Sequence, residues 1–90
     1  DIGNIVGVGD MAAQIKQVFA NLTDILTQVG ADILHVIKFT IYVTDIDTYR
    51  NTLSSDHTFM DGAPASTLIE VSRLANPDLL VEVEAIVALD

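Results

Sequence analysis

The residues best suited to chemistry lie between Pro64 and Val87, in the stretch PASTLIEVSRLANPDLLVEVEAIV, where Glu70, Glu82, Glu84 and Arg73 interrupt apolar runs. A carboxylate on an apolar surface is costly to desolvate unless a cation or a hydrogen-bond donor meets it. These glutamates therefore either pair with Arg73 or Lys38 or hold a small molecule and a water. Pairing or plain solvation is the simpler reading for Glu70 and Glu84; for Glu82 the two readings stand level. Neither histidine needs a chemical role. His35 stands at the start of a strand with no second His or thiol at ligand spacing, and His57 near a helix C-terminus suits the helix dipole. The chain has no cysteine, so thiolate nucleophiles, thiolate metal sites and disulfides are excluded. Gly3, Gly7 and Gly9 fit neither phosphate-loop spacing, and no Lys-Ser/Thr follows them, so they read as a plain loop.

The elements that must position these side chains follow from periodicity. Asp10 can cap a helix in which Met11, Ile15, Val18, Leu22, Ile25, Leu26 and Val29 recur at helical spacing. Gln14, Lys16, Gln17, Asn21, Asp24 and Gln28 are expected on its solvated face, and Gly30 provides the left-handed stop. From His35 to Thr44, apolar Ile37, Phe39, Ile41 and Val43 alternate with Lys38, Thr40 and Tyr42, which predicts a strand with one core face. A weaker helix is expected from about Thr48 to Phe59, ended by Asp61-Gly62-Ala63-Pro64. Two strands follow, read as a hairpin joined by the Asn-Pro-Asp turn, each with one face for helices and a mixed apolar and acidic second face. The order is α-β-α-β-β, an α+β class with two helices on one face of a small mixed sheet.

Length and composition set the bounds. Ninety residues allow one domain, and a chain this short buries only somewhat over ~60% of its unfolded surface. Half the residues are hydrophobic and the mean hydropathy is +0.44, so shared buried faces between subunits are expected. A half-apolar sheet face opposite the helices points the same way. Four Lys and Arg against thirteen Asp and Glu give a net charge of -9. With the cations scattered singly, nucleic acid is an unsuitable partner. No basic amphipathic helix favours a membrane surface, and no apolar run nears the ~20 residues that cross a bilayer. The lack of cysteine fits a cytoplasmic protein. The chain starts at Asp1 rather than at methionine, which raises the possibility of residues removed upstream.

GDMAAQIKQVFANLTDILTQVGAD, VIKFTIYVTD, PASTLIEVSRL and NPDLLVEVEAIV, in that order and spacing, resemble the RidA/YjgF family of reactive intermediate deaminases. The resemblance runs along nearly the whole chain. It implies a chorismate-mutase-like α+β fold, a homotrimer with pockets between subunits, and hydrolysis of enamines and imines to keto acids and ammonia with no metal and no organic cofactor. It also implies that Glu82, at the start of the last strand, positions the water. Active members place an arginine directly after the Pro-Ala pair, where its fork can bind a substrate carboxylate. Here Ser66 follows Pro64 and Ala65, and Arg73 lies seven positions further on. Ser66 and Leu68 are thereby the candidate substrate-binding positions. Leu53 replaces a residue that tends to be polar, and Asp1 to Gly9 cannot supply the two strands with which the family usually begins.

The expected function is hydrolytic deamination of a reactive enamine, imine or related small metabolite in an atypical pocket. Without the arginine, a neutral or amine-bearing substrate fits better than a simple imino acid. The alternative is a non-catalytic trimeric module that binds small metabolites in the inter-subunit clefts. A nuclease role, a label the family sometimes carries, fits poorly with the acidic charge.

Overall fold

A computed structural model describes residues 7–53 and 65–89. Helix α1 (Met11–Gln28) leads through a short 3-10 turn, Ile33–His35, to strand β1 (Val36–Val43). Helix α2 (Ile46–Leu53), strand β2 (Ala65–Glu70) and strand β3 (Val81–Val87) follow. The α+β class, two helices on one face of a mixed three-stranded sheet, is as the periodicity predicts.

The caps explain where α1 lies. Asp10 is extended, and its carboxylate accepts from the Ala13 N–H. Gly30 has φ +76, the left-handed conformation that an L side chain adopts only with strain. At the other end, Gly7 (φ +72) accepts at its carbonyl from the Asp10 N–H at 2.8 Å. A Cβ on Gly7 would come within 2.5 Å of the Ala13 Cβ, so this glycine serves the approach to the helix.

The expected hairpin is not formed. The sheet order is β2-β1-β3, with β1 parallel to β2 and antiparallel to β3. The Asn-Pro-Asp turn closes on itself, with Asp78 N–H donating to Asn76 Oδ1 and Leu79 N–H to the Asn76 carbonyl. Residues 71–75 add the length that carries the chain past the end of β1. The central place goes to the strand with most to bury: Phe39, Ile41 and Val43 are sealed on the helix side, and even Thr40 on the other face is only 8% exposed.

Helix α2 starts earlier than expected, because Asp45 caps it by accepting from Thr48 N–H. The continuation expected through Phe59, with Asp56 and His57, lies outside the described residues. The core unites Met11, Ile15, Phe19 and Leu26 of α1, Tyr49 of α2 and the inner faces of β1 and β3. Phe19 meets Phe39 edge-on, with ring centroids 5.9 Å apart.

Further side chains of α1 and β1 depart from expectation. Gln14, expected on the solvated face of α1, is 3% exposed and hydrogen-bonded inside. Ile25 and Val29, expected in the core, are exposed, while Phe19 is buried on the stripe that continues from Ile15. Ile37 is exposed although it keeps the alternation, because a register shift between Val36 and Lys38 turns it out and puts Val36 in the core.

Candidate functional site

Register decides which side chains can meet, because residues paired across neighbouring strands share a face. From the pairings, Lys38, Thr40 and Tyr42 of β1 share the open face with Ala65, Thr67 and Ile69 of β2 and with Glu82, Glu84 and Ile86 of β3. Ser66, Leu68 and Glu70 of β2 share the helix face with Phe39, Ile41 and Val43.

Glu82 is thus an exposed carboxylate directly opposite Tyr42, and Glu84 stands opposite Thr40. Neither makes an ion pair among the described residues. Of the alternatives open for these glutamates, pairing to Lys38 or Arg73 is not formed; Lys38 faces Ile86 and Arg73 is exposed beyond β2. Glu70 is the exception in both face and partner. Expected on the mixed face, it turns to the helix side in register with Val43 and accepts from the Ile46 N–H at 3.0 Å. This satisfies a free donor in the first turn of α2, a structural role.

Ser66 and Leu68 do not join Glu82 within one chain. They occupy β2 at one edge and the opposite face, with β1 between them and β3. Two strand spacings and three residues of rise put Ser66 and Glu82 roughly 14 Å apart. Pro64 lies outside the described residues, as does the side chain of Leu53. His35 is engaged locally: its Nδ1 accepts from the Asp32 N–H in a capping box. Among the described residues no cluster of three or more His, Asp or Glu could hold a metal ion.

Tyr42 and Thr40 are the neighbours of the glutamates that sequence reading did not single out. Alternation gives the face of each, but only the register tells which glutamate each one meets. Gln14 was missed for a different reason, since a glutamine one step from an apolar stripe looks like any solvated residue.

The open face is chemically mixed. Ile69 and Ile86 are 38% and 50% exposed there, beside two unpaired carboxylates, a lysine and a phenol. Residues 1–89 match the protein-family model described as "Endoribonuclease L-PSP". The chain belongs to this family, the RidA/YjgF proteins. It is 39% identical over 88 residues to a RutC family protein of Pyrococcus abyssi, covering 96% of this chain and 67% of that one. It is 30% identical over 81 residues to the 2-iminobutanoate/2-iminopropanoate deaminase of Escherichia coli K12, covering 86% and 62%. The crystal structure of a conserved Rid-family protein of Yersinia pestis superposes with a TM-score of 0.84 at 35% identity, covering 97% of this chain and 68% of that one. This Rid-family chain therefore spans about two thirds, or somewhat less, of the length of such relatives. No helix among its described residues is long and apolar enough to cross a membrane.

Proposed function

We propose that this Rid-family protein hydrolyses reactive imines or enamines of small metabolites, with Glu82 positioning the attacking water. The observation that carries the reading is an exposed carboxylate with no ion pair among the described residues, set on a half-apolar face beside Tyr42. Family membership and the likeness to the Escherichia coli deaminase support it. The chemistry needs no redox step. Glu82 takes a proton as the water oxygen bonds to the imine carbon. The resulting carbinolamine nitrogen is protonated, the C–N bond breaks, and ammonia leaves as the carbonyl forms. A carboxylate is a suitable proton carrier for both halves of this sequence. The imine enters it protonated on nitrogen, Glu82 returns the water proton to the carbinolamine nitrogen, and the hydroxyl proton passes to solvent as ammonia leaves.

The second half of the pocket comes from another copy of the chain. Ser66 and Leu68 at the β2 edge line the substrate side, and the open faces of three copies pack together. The separation of Ser66 from Glu82 within one chain supports this arrangement, since only different copies could bring them close. Ser66 carries no charge to grip a carboxylate, so the substrate is neutral or amine-bearing rather than a simple imino acid. The working compartment is the cytoplasm, where such intermediates arise.

Adding the protein to an amino-acid oxidase or dehydratase that releases an imine, and following ammonia against semicarbazone trapping, tests the activity. Faster ammonia release that Glu82→Gln abolishes is the expected result; equal rates with and without the protein would contradict it. The uncharged Ser66 also favours a second reading, a non-catalytic metabolite-binding assembly of the same fold. In that case thermal-shift screening of amines and keto acids gives stabilising ligands while imine hydrolysis stays at the background rate.

A further inference from the structure

We propose that Gln14 is a positioning residue for Glu82, holding the start of β3 from inside α1. The inference rests on the reading of Glu82 given above and deepens it. Gln14 is 3% exposed, and three hydrogen bonds occupy its side-chain amide. Nε2 donates to the Asp78 carbonyl at 2.9 Å and to the Gly7 carbonyl at 3.2 Å. Oε1 accepts from the Leu80 N–H at 2.7 Å.

The pattern is that of a strand partner. In a parallel ladder one residue donates to the carbonyl before its neighbour and accepts from the N–H after it. The Gln14 amide does both around Leu79 and so continues the sheet with a side chain. Leu80 is then fixed from two sides, because its carbonyl accepts from Thr44 N–H at 3.1 Å while its N–H is held by Gln14. Val81, next in the chain, is 1% exposed, and Glu82 follows on the opposite face in register with Tyr42. A slip of one residue at this point would exchange Val81 and Glu82 between core and open face. Gln14 is the one side chain in the described residues that bonds the backbone immediately before β3 from another element. The Gly7 bond ties the approach to α1 into the same clasp.

The test compares Gln14→Met, which keeps the size and removes all three bonds, with Phe19→Leu, which loosens the same helix at its ring contact with Phe39 and leaves the Gln14 amide in place. Amide hydrogen exchange and steady-state imine hydrolysis are measured on each assembled protein. Gln14→Met is expected to speed exchange at Leu80 and Glu82 about tenfold or more relative to Phe19→Leu. It is also expected to lower kcat about tenfold with KM within about twofold. Gln14→Glu, which keeps the acceptor for Leu80 but opposes two carbonyls, should give the same signature. Unchanged exchange at Leu80 and Glu82 would overturn the proposal whatever the activity. So would an undiminished kcat in Gln14→Met if Glu82→Gln is inactive. If Glu82→Gln hydrolyses imines as fast as the unaltered protein, the catalytic reading of Glu82 fails, and the exchange data alone decide whether Gln14 holds the strand.

Discussion

At the scale of single residues, Tyr49 and Glu82 present opposite situations. Tyr49 is 2% exposed, and its hydroxyl has no hydrogen-bond partner among the described residues. Burial pushes its phenol from 10.0 up to about 12, because the phenolate would lose its hydration. The folded state therefore holds this proton more tightly than the unfolded chain does. The resulting stability is fully present below about pH 10 and is lost as pH rises toward 12. Tyr49→Phe removes an unpaired polar group, so it should stabilise the fold by ~1 kcal/mol at neutral pH. It should also flatten the loss between pH 10 and 12, as read from urea midpoints across that range. Glu82 by contrast is exposed and makes no ion pair among the described residues. Glu82→Gln should leave the urea midpoint nearly unchanged, within about 0.5 kcal/mol, while removing imine hydrolysis.

At the scale of elements, β2 and α2 are joined by one side chain. Glu70 accepts from the Ile46 N–H while Asp45 accepts from Thr48 N–H, so two acids serve the same helix start. Glu70→Ala should cost ~1 kcal/mol and Asp45→Ala a similar amount, measured by thermal or urea unfolding. The elements themselves were largely legible in the sequence. Asp10, Gly30 and the alternation through Phe39, Ile41 and Val43 declare α1 and β1, because caps and periodicity act over a few residues. What was hidden depends on pairing. A turn at Asn76-Pro77-Asp78 looks like a hairpin until β1 is seen lying between the two strands. The face of Glu70 and the exposure of Ile37 follow from register and from a bulge, neither of which has a local signature. Gln14 was invisible because it sits one step from the apolar stripe like a solvated residue, while its partners at Asp78 and Leu80 lie more than sixty positions away along the chain.

At the scale of the whole molecule, the proposed function turns on the open sheet face. Ile69, Ile86 and Tyr42 share it with Glu82 and Glu84, and the proposed assembly covers it with other copies. Ile69→Lys should therefore shift the protein from trimer toward monomer in analytical ultracentrifugation, and hydrolysis should fall with the trimer. Within one chain Glu82 and Ser66 stand on opposite faces, with a strand between them, so the proposed site needs two copies. Subunit mixing tests this most directly. Glu82→Gln and Ser66→Trp are each expected to be inactive as homotrimers. Co-refolded in equal amounts, they should recover roughly a quarter of the unaltered activity, because random closed trimers pair two intact halves at that frequency. Mixed trimers that recover no hydrolysis would contradict a site built from Glu82 of one copy and Ser66 of another.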